Sequence, residues 1–159
     1  MGLTTRRRFL REAAVAVPAA GVLGAAAAAH EGAGGAPERR VITGSVSPNY
    51  SKAIVWDRLA FVAGVIGVKP GSRELASADF EPQCRQVMEN LKASVEAAGS
   101  TMSKVLKCTC FLTNEADFAA FNKIYVTYFP SDPPARSTVI VKALVLAGAT
   151  VEVDCVAAV

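Results

Sequence analysis

From residue 41 onward, short apolar runs alternate with two stretches of helical period. Val41-Ile42-Thr43 is the first apolar run and predicts a strand. Residues 45–51, with Pro48 and Asn49, carry turn chemistry, and Tyr50 closes that loop. The apolar runs 53–56 and 59–66 are split by Asp57-Arg58 and predict a β-hairpin. Trp56 fits core or rim packing better than a ligand platform. Gly64 and Gly67 fall in or just after the second strand, where glycine marks a bulge or a close approach of backbone or ligand. Lys69-Pro70-Gly71-Ser72 is a turn. Residues 79–98 hold the strongest helical pattern. Cys84, Val87, Met88, Leu91, Val95 and Ala98 recur on one face. Asp79 is placed to cap this helix, Pro82 falls in the first turn, and Gly99 ends it. Gln83, Gln86 and Asn90 are expected to be solvated or paired with neighbours.

Residues 104–112 predict a strand, with Cys108, Thr109 and Phe111 supporting it. Residues 114–129 predict a second helix whose stripe of Phe118, Phe121, Tyr125 and Phe129 reads as core. Pro133 and Pro134 stiffen the entry to a strand over 137–144, and a last strand runs over 150–157. Two helices, each lying between strands, can cover one face of a six-stranded mixed sheet. They cannot cover both. The expected fold is α+β, and the bare face is expected to meet another copy of itself.

Composition changes this picture mainly at the N-terminus. Thr5-Arg6-Arg7-Arg8-Phe9-Leu10, followed by an alanine-rich stretch, predicts an export signal of the bacterial twin-arginine type over 1–29. The stretch is too poor in Leu, Ile and Phe for a membrane span. A Gly-rich linker is expected over 30–40 and one domain over 41–159, and the leader predicts export to the bacterial periplasm. Taking Arg6, Arg7, Arg8, Arg11 and Glu12 from totals of 17 basic and 14 acidic residues leaves 13 of each sign. A neutral body argues against nucleic acid as a partner.

Chemistry-bearing patterns are few. The single histidine, His30, sits beside the leader, so the metal case is poor. The four cysteines fall on apolar faces of regular elements, which predicts free, buried thiols rather than disulfides. Phosphate loops, serine triads and nucleophile elbows are missing from the sequence. Two residues remain. Arg136 opens a β-branched run on a stiffly held backbone, a place suited to a two-pronged grip on a carboxylate or phosphate, or to an ordinary structural ion pair. Glu152, in Thr150-Val151-Glu152-Val153-Asp154, lies either on a wet face or in a cleft. Pairing of the strands on either side of the 147–148 turn would bring the two together, as a site or as a salt bridge.

Taken together, Phe61-Val62-Ala63-Gly64-Val65-Ile66, Gln83 with Asn90-Leu91-Lys92, Glu96-Ala97-Ala98-Gly99-Ser100, Phe111-Leu112-Thr113, Phe118 with Asn122 and Tyr125, Pro134-Ala135-Arg136-Ser137-Thr138 and Val151-Glu152-Val153 resemble, in order and spacing, the RidA family (YjgF/YER057c/UK114). The resemblance runs from about Ser45 to the C-terminus. It implies a chorismate-mutase-like α+β fold with two helices on one face of the sheet. It also implies a homotrimer with clefts between subunits, and no cofactor. Active members hydrolyse reactive enamines and imines such as 2-aminoacrylate to a 2-keto acid and ammonia. By this resemblance Arg136 holds the substrate carboxylate and Glu152 positions the attacking water. Tyr50, Asn122, Thr138 and Ala63 fall at pocket positions, Thr138 where many members have cysteine.

The chain also departs from the pattern. Ala63 stands where the family has serine, Val65 where glutamine is common, and Val145 where proline is common. The segment between Arg136 and Glu152 is one residue longer, and a one-residue slip in a strand turns the side chain to the other face. The expected activity is therefore hydrolytic deamination of enamine or imine acids. A metabolite-binding trimer without turnover is the alternative, and ribonuclease activity comes last.

Overall fold

The computed structural model describes residues 36, 38–45 and 47–159. The export signal expected over 1–29 and most of the linker expected over 30–40 lie outside the described residues. Strands β1 (Arg39–Ile42), β2 (Ala53–Trp56) and β3 (Leu59–Ile66) lead into helix α1 (Phe80–Ala97). Strand β4 (Val105–Leu112), helix α2 (Phe118–Tyr128), strand β5 (Ala135–Ile140) and strand β6 (Val151–Ala158) follow. They form one six-stranded sheet in the order β1-β2-β3-β6-β4-β5. Only β4 and β5 run parallel, with α2 as their crossover.

The register sorts the side chains onto two faces. Cys108 stands opposite Cys155, Cys110 opposite Val153 and Leu112 opposite Val151. All are buried under the helices. Helix α1 adds Cys84, Val87, Met88, Leu91 and Val95 to this core, as its period requires, and α2 adds Phe121, Ile124 and Tyr125. The alternate residues face away from the helices. Trp56, Leu59, Phe61 and Val139 on that side remain substantially exposed, so the sheet presents an uncovered apolar face. Trp56 packs at the rim of that face. All four cysteines are free and buried. Burial pushes the Cys84, Cys110 and Cys155 thiols up to about 12, which keeps them neutral and unreactive.

Several boundaries differ from the sequence expectation, each for a local reason. Strand β1 begins at Arg39, inside the expected linker, because Arg39 and Arg40 continue the ladder to Trp56 and Val55. The strand expected over 137–144 stops at Ile140. Its only neighbour, β4, ends at Leu112, the partner of Ile140. The second helix opens with a 3₁₀ turn over Glu115–Asp117, where the Asn114 side chain accepts from the Ala116 amide, and the α-helix starts only at Phe118. Phe118 itself is exposed rather than core. Asp79 precedes α1, but its side chain makes no cap hydrogen bond.

Of the two expectations for Gln83, solvated or paired with neighbours, the structure shows the second: it is fully buried and paired. Its Nε2 donates to the Gly148 carbonyl at 3.0 Å. Its Oε1 accepts from the Thr150 amide at 3.0 Å and from the Thr150 hydroxyl at 3.1 Å. One amide thus ties α1 to the start of β6, directly before Glu152. Gly67 lets the chain after β3 approach this point, since a Cβ there would lie 2.7 Å from the Gln83 carbonyl oxygen. Replacing Gln83 with Leu takes the partner from the part-buried Gly148 C=O, Thr150 N–H and Thr150 hydroxyl, and should lower stability by about 1–3 kcal/mol. Denaturant unfolding of the variant measures this; a change below about 1 kcal/mol would show that the cross-link contributes little.

Candidate functional site

The candidate residues fall into two groups on opposite faces of the sheet. The first lies on β5 and α2. Parallel pairing sets Arg136 opposite Cys108 and Thr138 opposite Cys110, so both side chains point to the helix side. There the guanidinium of Arg136 is walled by aromatic rings. Its central carbon lies 4.7 Å from the ring centroid of Tyr125, 5.3 Å from that of Phe121 and 5.8 Å from that of Phe118. These rings reach one place because positions 118, 121, 122 and 125 share one face of α2. Asn122, on the same face, accepts from Arg136 Nη2 through its Oδ1 at 2.7 Å. Among the described residues, no carboxylate forms an ion pair with Arg136.

A guanidinium held by a neutral acceptor and by ring faces keeps donors for an external anion. Two further groups mark the spot. The Thr138 Oγ1 and the Tyr125 hydroxyl are buried without a hydrogen-bond acceptor or donor of ordinary strength; Cys108 is the polar neighbour of Tyr125. Burial and then Cys108 raise the Tyr125 hydroxyl well above its usual range, so it stays protonated. A buried hydroxyl left unpaired beside a poised guanidinium is what an anionic ligand would satisfy.

The second group surrounds Glu152. Its strand neighbours are Phe111 and Ile66, and its side chain points to the face without helices. The register of β3 shifts between Val62 and Val65, a bulge at Ala63 and Gly64. The Glu152 carboxylate packs directly on Gly64, where any Cβ would overlap it. This is the close approach expected of a strand glycine. Glu152, Tyr50, Ala63 and Gly64 share a cavity of about 520 Å³ with Ser47 and Arg73. A neighbouring cavity of about 410 Å³ also reaches Tyr50, Ala63 and Gly64. Burial, and secondarily the charge of Asp154, raises the Glu152 carboxyl above the ordinary carboxylate range. Such a group exchanges protons closer to neutrality, as a general acid or base must.

Arg136 and Glu152 are therefore not brought together in one chain. Strands β5 and β6 do not pair; β4 lies between them and the two side chains face opposite ways. Neither the expected pairing nor a structural salt bridge between them exists. Residues 141–149 between the two strands are irregular, and Glu152 faces the cavity of Tyr50 and Ala63. Ser47, Arg73 and Leu146, which also line that cavity, were not singled out by the sequence. They come from three loops that only the folded chain assembles. Among the described residues, no group of three or more His, Cys, Asp or Glu is arranged to hold a metal ion. No helix among them is long and apolar enough to cross a membrane.

Comparison with known proteins agrees with this architecture. The chain is 44% identical over 110 residues to Protein DfrA of Myxococcus xanthus, a match covering 68% of this chain and 83% of that one. It is 36% identical over 123 residues to the human 2-iminobutanoate/2-iminopropanoate deaminase, covering 75% of this chain and 89% of that one. The crystal structure of YyfA, a Rid-family protein of unknown function from Yersinia pestis, superposes with a TM-score of 0.72 at 38% identity, covering 77% of this chain and all of that one. The sequence profile described as Endoribonuclease L-PSP matches residues 44–159. With that match over most of its length, and with the six-stranded sheet and two helices of its structural relatives, the chain belongs to the RidA/YjgF family, described as endoribonuclease L-PSP.

Proposed function

We propose that the protein is a cofactor-free deaminase of 2-imino and 2-enamino acids, with its active sites between subunits of a homotrimer. The observation that carries this reading is the state of Arg136: clamped by Asn122 and three rings, yet paired with no acid among the described residues. A carboxylate ligand completes it. The name of the human relative, a 2-iminobutanoate/2-iminopropanoate deaminase, supplies the reaction class. In this reading the uncovered apolar face packs against neighbouring copies, and the Glu152 cavity of one subunit meets the Arg136 edge of the next. Arg136 fixes the substrate carboxylate and so places the electrophilic imine carbon, which is catalysis mainly by positioning. Glu152 accepts a proton from the attacking water. It returns the proton to nitrogen as ammonia leaves and the 2-keto acid forms. Export by the twin-arginine route is part of the same proposal and rests on Arg6-Arg7 and the alanine-rich stretch after them.

Two measurements test this reading. Protein beginning near residue 30 should scatter light as about three chains per particle; a clean monomer sinks the interfacial site. Ammonia should be released faster when the protein is added to an imine generated in situ by an amino-acid oxidase. Binding of a 2-keto acid without accelerated release would instead support a non-catalytic carboxylate-binding trimer. The family label also names RNA, so intact RNA should survive incubation with the protein.

A further inference from the structure

We propose that Arg73 makes the Glu152 cavity selective for imines of dicarboxylic 2-oxo acids, by receiving the carboxylate at the far end of the substrate; this rests on the deaminase reading above. Among the described residues, the charged side chains lining that cavity are two, Glu152 and Arg73. Glu152 has its role at the reacting carbon, and Arg136 takes the carboxylate next to that carbon. Arg73 is placed for neither. It lines the same cavity from the loop that follows β3.

That loop is well tied although its tip is exposed. Val68 and Leu75 form an isolated antiparallel bridge. The Lys69 amide donates to the Glu74 carbonyl at 2.9 Å, and the Ala76 amide to the Gly67 carbonyl at 2.8 Å. The Lys69 ammonium lies 2.7 Å from the Glu74 carboxylate, closing the loop a second time across Arg73. A backbone fixed in this way adds no ordering cost of its own when the guanidinium grips an anion. Its planar fork matches a carboxylate better than an ammonium does.

The remaining walls fit the middle of such a substrate. Ile66, Val68 and Leu146 are apolar and lie among the lining residues, suited to the methylenes between two carboxylates. Ala63 presents only a methyl group, so that wall makes no polar claim on the substrate side chain. The reaction is the same for either substrate class. Water adds across the C=N bond, the C–N bond breaks, ammonia leaves, and the distal carboxylate emerges unchanged.

The test compares 2-iminoglutarate with 2-iminobutanoate, each made in situ by an oxidase acting on the parent amino acid. Wild-type protein should give the higher kcat/KM for 2-iminoglutarate. Arg73→Ala should lower the ratio of the two kcat/KM values about fivefold, mainly through KM, as expected for one rim-exposed charge pair. Arg73→Glu should lower it further, and Arg73→Lys should restore part of it. An unchanged ratio in both Arg73→Ala and Arg73→Glu, with 2-iminobutanoate still hydrolysed, overturns the role of Arg73 alone. Hydrolysis of neither imine by the wild type overturns the deaminase reading and this inference with it.

Discussion

Arg136→Lys and Arg136→Ala are both expected to fold and assemble, and both to lose imine hydrolysis together with 2-keto-acid binding. The lysine variant is the informative one. It keeps the charge but offers a point donor in place of a planar fork. It also loses the flat surface that stacks on Tyr125 and Phe121, where the guanidinium carbon lies 4.7 and 5.3 Å from the ring centroids. Its ammonium could still reach Asn122 Oδ1, which would spend that donor on the protein instead of the substrate. Removing a hydrogen-bonded charge pair from a closed cleft costs roughly 2–5 kcal/mol, on the order of thirty-fold or more in rate. Near-wild-type turnover by Arg136→Lys would mean that Arg136 supplies only positive potential and clamps nothing.

The second large effect is expected at Glu152. Glu152→Gln keeps the shape of the side chain beside Gly64 but cannot take a proton, so kcat should fall on the order of a hundredfold or more. Wild-type activity should require the ionised carboxylate. It should therefore decline as pH falls through a value above the usual carboxylate pKa of about 4.3, since burial and then Asp154 push Glu152 upward. The stability effect has the opposite sense. A carboxyl whose folded pKa is raised favours the folded state most when protonated, and that benefit is lost as pH rises through the raised value. At neutral pH, Glu152→Gln should consequently be at least as stable as the wild type while being nearly inactive. A variant that is both less stable and still active would remove Glu152 from the chemistry. An acidic limb at the ordinary carboxylate value would show instead that the Glu152 carboxyl is not raised in the working enzyme.

Much of the fold was legible because periodicity is a local property. The α1 face of Cys84, Val87, Met88, Leu91 and Val95 is buried as its spacing demands. The β2–β3 hairpin forms at Asp57-Arg58, with Asp57 in the left-handed region that a tight turn needs. What was not legible depends on partners distant in sequence. Gln83 carries no mark of burial; it is buried because Gly148 and Thr150 reach it from 65 and 67 residues away. Strand β5 ends at Ile140 because β4 ends, which no property of residues 141–144 announces. The site divides in the same way. Arg136 and Glu152 stood out as residues, but the strand order that separates them is a tertiary fact. With β4 lying between β5 and β6, and the registers turning Arg136 and Glu152 to opposite faces, the expected neighbouring pair becomes two groups.

If the active site lies between subunits as proposed, that separation makes it a shared property of the assembly. Under the interfacial reading, no subunit can complete a site from its own Arg136 and Glu152. Two proteins that are each dead, Arg136→Ala and Glu152→Gln, then carry complementary defects. Unfolded together in equal amounts and refolded as mixed trimers, they should place an intact arginine from one parent against an intact glutamate from the other at about one interface in four, if subunits associate at random. Under that reading, complementation between two inactive variants of one polypeptide follows from the order of its strands.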